Sequence, residues 1–438
     1  MFMKRILMTR TSLFSSVLFL LPFQWRESNR PFLSIESIMN SLTTCISAAL
    51  MLAPLAAPPL PVHASDCTRT STGFTPLNEF ATGEKYLSLY EGGLYPGNQN
   101  ELPPSHLIRG LTEAKTIKPR AANGTVSANG RIILMSIGMS NTTQEWCAAT
   151  SITQPCGATS FMAQAAELDT INFNQVTLID GAKASQVSTQ WDQPTDANYD
   201  RIRDTILTPQ GLSEAQVQGV WVKVANAGPT VRLPSAGADA FAFKVHLGNI
   251  ARALRVRYPN LRLMFLSNRI YAGYASSTLN PEPYAYESGF GVKWAIQAQL
   301  TQVAGGGIDA QSGDLSPSVA PHLSWGPNLW GDGMTPRADG MIWECSDFSS
   351  DGTHPAVTGR GKVGQLLVNF FAASPLCAEW YRAAPPPRGD IDNNGIVNAV
   401  DLSLLLSAWQ SSEPLADIDD SGVVDGADLT IVMSDWTG

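Results

Sequence analysis

The 438-residue chain has no basic surplus: 29 lysines and arginines face 38 aspartates and glutamates, for a formal net charge of −9. A nucleic-acid partner is recognised through clustered cations that replace the counterions of its phosphates, so that class of partner is not expected. Zinc spacing is missing as well. The six cysteines include no CxxC pair and none stands at ligand spacing from a histidine, which leaves them a structural role. Histidine is scarce, with His63, His106, His246, His322 and His354 the full set, so chemistry that needs an imidazole has few places to reside. Neither apolar stretch near the N-terminus, Ser12–Phe23 behind Lys4, Arg5 and Arg10 or Ala48–Val62, reaches the ~20 residues of a membrane-spanning helix. Both have the length of signal-peptide cores, and VHA before Ser65 puts small or modest residues at Val62 and Ala64. Residues 1–64 therefore read as a signal region cleaved near Ala64, with a secreted or cell-surface product and no membrane anchor. Met39 is an alternative start that would make the first stretch spurious.

Cleavage there leaves Cys67, Cys147, Cys156, Cys345 and Cys377. An exported chain can oxidise its thiols, and Cys147 and Cys156 are close enough in sequence to close a short loop. Spacing alone does not fix the pairing, and an odd number requires one thiol to stay unpaired within the chain.

What the chain does have is a unit written twice at its C-terminus, GDIDNNGIVNAVDLSLLLSAW and ADIDDSGVVDGADLTIVMSDW. Each copy sets oxygen-bearing groups at loop positions 1, 3, 5, 7, 9 and 12 around a glycine at position 6, followed by an apolar helical run. The first loop offers Asp390, Asp392, Asn394, the Ile396 carbonyl, Asn398 and Asp401. The second offers Asp417, Asp419, Ser421, the Val423 carbonyl, Asp425 and Asp428. Calcium is a hard cation that takes six or more oxygens, and Gly395 and Gly422 permit the sharp turn around it. Two calcium ions are the expected cofactors. With Asp instead of Glu at position 12, the pattern resembles the dockerin type I module more than an ordinary EF-hand. That resemblance covers about fifty residues and implies a small all-α, EF-hand-like domain that docks onto a cohesin domain of a scaffold or surface protein. Positions 10 and 11 depart from it: where many dockerins carry a hydroxyl-bearing pair, this chain has Ala399-Val400 and Gly426-Ala427.

The stretch AAPPPRGD ends the larger domain, because three consecutive prolines cannot enter a helix interior and act as an extended spacer. The expected division is 1–64 signal region, 65–382 catalytic domain, 383–388 linker and 389–438 calcium module. In the larger domain RIILMSI (131–137), QVTLID (175–180), GVWVKVA (219–225) and LRLMFLS (261–267) read as buried strands. Helical spacing over 238–258, 289–303 and 361–371 alternates with them, which makes the class α/β, with a parallel sheet covered by helices on both faces. In such sheets ligands collect beyond the carboxyl ends of the strands.

Ser140 follows the first strand in SIGMSN, where Gly138 allows a tight turn and a following helix can aim its amides at the serine. Far along the chain, SDFSSDGTHPAVTGRGK puts Asp351 three residues before His354 in a glycine-containing loop. One imidazole nitrogen can then be held by the carboxylate while the other takes a proton from Ser140. No other histidine has an acid at useful sequence spacing. Gly181 after QVTLID and Asn226 after GVWVKVA are the candidate oxyanion donors, with Asn268, which ends the 261–267 strand, as the rival to Asn226. In this order the blocks resemble the SGNH/GDSL hydrolase superfamily over most of 131–371. The resemblance implies a flavodoxin-like three-layer fold, Ser140, Asp351 and His354 as a catalytic triad, and Gly181 and Asn226 as oxyanion donors beside the serine's own amide. A GDS sequence is replaced by Gly138-Met139-Ser140-Asn141, which looks more like the GQSN variant of carbohydrate acetylesterases. The expected substrate is accordingly an acylated carbohydrate, and the chemistry needs no metal. Tyrosine-rich SNRIYAGYA and LNPEPYAYESGF read as packing before sugar stacking, and Glu282 with Glu287 ranks low as a glycosidase pair. Two rivals stand beside the esterase: a glycan-binding protein on the same fold, and a structural surface protein built around its calcium module.

Overall fold

A computed structural model describes residues 64–438, so all but the last residue of the expected signal region lies outside the described residues. Five short strands form a parallel sheet: β1 (Ile132–Gly138), β2 (Val176–Asp180), β3 (Val217–Lys223), β4 (Leu263–Leu266) and β5 (His322–Trp325). Every residue of β1, β3, β4 and β5 is buried, as expected where helices cover both faces. The order is β2-β1-β3-β4-β5, the flavodoxin-like arrangement. The chain leaves β1 towards one edge and returns across it to build the other. With right-handed crossovers, connections running in opposite directions lie on opposite faces. That reversal opens a crevice at the carboxyl ends of β1 and β3, where Gly138 pairs with Lys223.

On the first face α1 (Pro104–Lys115), α2 (Ser140–Trp146), α3 (Phe161–Ala166) and α6 (Val357–Ala373) gather. Trp146 of α2 stacks on Trp221 of β3 with ring centroids 5.4 Å apart and meets Phe371 of α6 edge-on. Phe371 in turn meets Phe265 of β4. Each such pair adds about 1 kcal/mol beyond the area it buries, and together they fix α2 and α6 against the same strands. The other pair, α4 (Asp239–Arg257) and α5 (Tyr284–Val303), pack on each other.

Four strands and three long helices lie where the apolar runs and helical spacing put them. The fifth strand, HLSW, is four residues long and carries a histidine and a serine, so no apolar run marks it. His322 is nevertheless buried, its ring 4.1 Å from that of His106, whose Nε2 lies 2.7 Å from the Leu323 carbonyl oxygen. Burial pushes both imidazoles down, His106 to about 4. Among the described residues there are two disulfides, Cys147–Cys156 and Cys67–Cys345, and Cys377 is a buried free thiol. The second disulfide ties the start of the described chain to the segment that leads into Asp351.

The C-terminal repeats each form a loop and a helix, α7 (Ala399–Ser407) and α8 (Gly426–Ser434), which enclose Val397, Leu405, Val424 and Val432. Although Pro385–Pro387 are largely solvated, the repeats rest on the larger body. Lys115 at the end of α1 donates to the carbonyls of Pro414 and of Asp417, the latter at 3.0 Å, and pairs with Asp420 at 3.5 Å. Ile391 and Leu415 line a cavity together with Ile108 and Leu111 of α1. No helix among the described residues is long and apolar enough to cross a membrane.

Candidate active site

The sheet brings the separated sequence blocks to one edge. β1 ends at Gly138, where an added Cβ would lie 2.2 Å from the Lys223 carbonyl oxygen and 2.4 Å from Thr142 Oγ1, so only glycine fits between β3 and α2. The chain then turns straight into α2, with Ser140 as its first residue and partly buried. The loop before α6 crosses above it and is fastened to α2 by buried Asn141, whose Nδ2 donates to the Thr353 carbonyl at 3.0 Å.

That clamp produces a three-member chain of hydrogen bonds. Ser140 Oγ lies 2.8 Å from His354 Nε2, and His354 Nδ1 lies 2.5 Å from Asp351 Oδ2. The other carboxylate oxygen, Asp351 Oδ1, accepts the backbone N–H groups of Thr353 and His354, each at 3.0 Å. Partial burial would raise the Asp351 carboxyl, but the His354 ring and these amides outweigh it and hold the group well below the usual carboxylate range. An ionised Asp351 keeps the proton of His354 on Nδ1 and leaves the Nε2 lone pair facing the serine.

Gly181 follows β2 directly, and its N–H donates to no group among the described residues. The Ser140 N–H, at the first position of its helix, is likewise open. Asn226 is more constrained than an open donor: its Oδ1 accepts from Ser188 Oγ at 2.8 Å and its Nδ2 donates to the Asp239 carbonyl at 3.0 Å, leaving one amide hydrogen. Its rival Asn268 is bound to the same extent, with one donation and one acceptance, and also keeps one amide hydrogen. Buried Asn268 donates to Asn328 Oδ1 and accepts from the Leu329 N–H, which secures a loop on the far side of its strand end. Glu282 and Glu287 are also occupied inside the protein, the first by Trp330, Ala272 and Tyr286, the second by Tyr86 and Leu233. Tyr271, Tyr274 and Tyr286 are buried with their hydroxyls on backbone carbonyls, in keeping with packing. His246 has an acid after all, with Nδ1 2.9 Å from Asp192 Oδ2, but no serine or cysteine meets its ring among the described residues.

Sequence reading passed over Asp180, the last residue of β2. Its Oδ1 accepts from Ser136 Oγ at 2.6 Å and from the Ala182 N–H at 3.2 Å, and its Oδ2 accepts from Thr143 Oγ1. One carboxylate thus joins β1, the turn around Gly181 and the helix that carries Ser140. Burial pushes it up to about 6 against the pull of those three donors. Its place at a strand's carboxyl end, next to a glycine, was the available signal. Arg269 was also missed; it is buried, with one guanidinium nitrogen against Met139 Sδ and Nε without a partner, and Glu145 beneath it pairs with buried Lys223.

The turn at Gly181 is tight enough to test. An added Cβ there would stand 2.6 Å from the Ser136 carbonyl oxygen and 2.9 Å from Met135 Sδ. Gly181→Ala must therefore shift the turn and its N–H. A donor displaced from a developing oxyanion costs about 10²–10³ in kcat with little change in KM. Steady-state kinetics on a simple ester checks this; unaltered kcat would remove Gly181 from the site.

In the C-terminal repeats, Asp390, Asp392 and Asp401 each bring a carboxylate oxygen within 4.8 Å of the others, and Asp417, Asp419 and Asp428 do the same. Burial, together with the charges of Asp401 and Asp392, pushes Asp390 up to about 6, a repulsion that a divalent cation would relieve. Asn398 and Asp425 cap α7 and α8 through the N–H groups of Val400 and Ala427. Asp401 and Asp428 reach back to the N–H groups of Asn398 and Asp425. The shorter acid at position 12 therefore completes a capping box while presenting its oxygens to the loop. Asn394 Oδ1 accepts from the Ile396 N–H, and Ser421 Oγ donates to the Val423 carbonyl, so both position-5 side chains stay within their loops.

No family model matches the sequence, and no curated protein matches it. Among solved structures it is similar to the salicylyl-acyltransferase SsfX3 from a tetracycline biosynthetic pathway, at 14% identity and a TM-score of 0.31, over 57% of this chain and 56% of that one. The chain thus spans little more than half the length of that acyltransferase. It is similar to TesA at 14% identity and a TM-score of 0.25, over 56% and 99% of the two chains. The extracellular lipase from Streptomyces rimosus gives 11% identity and a TM-score of 0.27, over 54% and 98%.

Proposed function

We propose that the chain is a secreted serine esterase that removes acyl groups, acetyl foremost, from carbohydrates. The observation that carries the reading is the hydrogen-bonded chain from Ser140 through His354 to Asp351. Ser140 Oγ attacks the ester carbonyl carbon as its proton passes to His354 Nε2. The carbonyl oxygen gathers negative charge against the N–H groups of Ser140 and Gly181, with the remaining amide hydrogen of Asn226 as third donor. Collapse breaks the bond to the alcohol oxygen, which leaves with the proton from His354. Water then adds to the acyl-serine, gives a proton to His354, and releases the acid while Ser140 recovers its hydrogen. Asp351 stays ionised throughout and stabilises the imidazolium. A carbohydrate alcohol is supported by the GMSN sequence at the nucleophile and by the dockerin-like repeats, a module that accompanies enzymes acting on polysaccharides.

The repeats are proposed to hold two calcium ions through the oxygens of their loops, which supplies the countercharge that the converging aspartates need, and to attach the enzyme to a cohesin-type partner. Catalysis makes no use of these ions.

A fluorophosphonate probe tests the enzyme reading, since only an activated serine attacks phosphorus at a useful rate. Stoichiometric labelling at Ser140, lost on prior denaturation, is the expected result. A folded protein that stays unlabelled at Ser140 would favour a glycan-binding role on the same fold.

A further inference from the structure

A cavity of about 680 Å³ opens beside the nucleophile helix at the β2 edge of the sheet. Its wall includes Thr143, one helical turn beyond Ser140, and Asp180 and Ala182, the residues on either side of Gly181. The cavity thus reaches both the helix that Ser140 opens and the turn that carries Gly181, although neither Ser140 nor His354 lines it. An acetyl group fills only a small part of such a space, so the cavity is suited to a larger portion of the substrate.

The charge lining it is unusual for a protein with a net charge of −9. Lys183 and Arg201 both line the cavity. Lys183 is exposed, and neither cation has a salt-bridge partner among the described residues. Arg201 donates to the Gly181 carbonyl while its Nε is buried without a partner. The one carboxylate in the lining, Asp180, has both oxygens engaged by Ser136, Thr143 and Ala182. Two cations against one committed anion leave an uncompensated positive charge two residues from the proposed oxyanion donor.

We infer that this cavity is an anion subsite, and that the enzyme prefers esters whose sugar carries a carboxylate, as in an acylated uronic-acid polymer. The inference rests on the esterase reading for its connection to turnover. A carboxylate could equally enter on the acyl side, as in a hemisuccinate ester, so both sources belong in the test. Lys183 meets the carboxylate directly as a point charge at the mouth; Arg201 is a positioning residue for the Gly181 turn as well as a second cation.

The full-length protein would be assayed on O-acetylated oligogalacturonides, O-acetylated xylo-oligosaccharides, 4-nitrophenyl acetate and 4-nitrophenyl hemisuccinate. The expected result is a lower KM for the acidic oligosaccharide than for the neutral one, with the difference shrinking as salt is raised. Lys183→Gln should raise that KM about tenfold, the weight of one charge-assisted contact, while 4-nitrophenyl acetate hydrolysis stays within about twofold. Lys183→Arg should restore most of the preference. If the hemisuccinate, and not the acidic sugar, shows the Lys183-dependent gain, the subsite stands and takes the acyl arm. Equal KM values for charged and neutral substrates, or a Lys183→Gln effect of the same size on all four, overturns it. Should the wild type hydrolyse none of them, the esterase reading fails first. Calorimetry with unesterified trigalacturonate then decides the subsite separately: salt-sensitive binding weakened by Lys183→Gln supports it, and no binding refutes it.

Discussion

Ser140→Ala is expected to lower kcat by about four to six orders of magnitude, with KM nearly unchanged, and Asp351→Asn by about four. The first removes the atom that forms the acyl bond. The second keeps the shape of the acid but replaces an oxygen that accepts from His354 Nδ1 with a group that can donate, so the ring loses the tautomer that faces the serine. Neither change should unfold the protein. Ser140 is the first residue of α2 and its side chain contacts only the His354 ring by hydrogen bond. Ser140→Ala combined with His354→Ala should cost little more than either alone, since the two act as one unit. Thermal melts equal to wild type with activity lost give the clean result; a Ser140→Ala enzyme that retains a tenth of its kcat rules out the nucleophile.

The legibility of this site followed from where the sheet puts things. β1, β2 and β3 were visible as apolar runs because they are wholly or mostly buried, and the candidate site residues sit one to three positions past their ends. Ser140, Gly181 and Asn226 could be picked out by that rule. Asp351 and His354 were readable from local spacing, because the acid and the ring meet within one turn of loop. What sequence order could not supply was orientation. Asn268 and Asn226 end neighbouring strands and looked equivalent, and what separates them is only the partner each is tied to, Asn328 and Leu329 for the first, Ser188 and Asp239 for the second. Asp180 was hidden for the same reason, since its meaning lies in joining Ser136, Thr143 and Ala182 across three elements. The prolines at 385–387 suggested a module free on a spacer, and nothing local announces that Lys115 and Ile108 of α1 will receive it.

Removal of calcium from the full-length protein is expected to release residues 389–438 from α1 while hydrolase turnover persists. Each loop crowds three carboxylates within 4.8 Å, and the ordered turn depends on the same side chains: Asp401 accepts the N–H groups of Ile391 and Asn398, and Asp428 those of Ile418 and Asp425. Without a cation the mutual repulsion of those carboxylates works against the turn they fasten. Calcium at a hundredfold above its Kd adds about 2.7 kcal/mol per site to the ordered form, a large contribution for two nine-residue helices with a small core. The second loop also presents the Asp417 carbonyl to Lys115, so loosening it should loosen the seat of Ile391 and Leu415 on α1. The Ser140 chain draws on β1, α2 and the loop before α6, none of which contributes a ligand to either loop. Hydrogen exchange followed by mass spectrometry would show amides of 389–438 losing protection in excess chelator, with β1 and β3 unaffected and kcat within about twofold. An Asp390→Ala/Asp417→Ala variant should show the unprotected pattern even in millimolar calcium. Protection that is the same with and without the ion, in wild type and variant alike, would mean that the repeats are a self-supporting helical pair and that the aspartates hold turns, not metal.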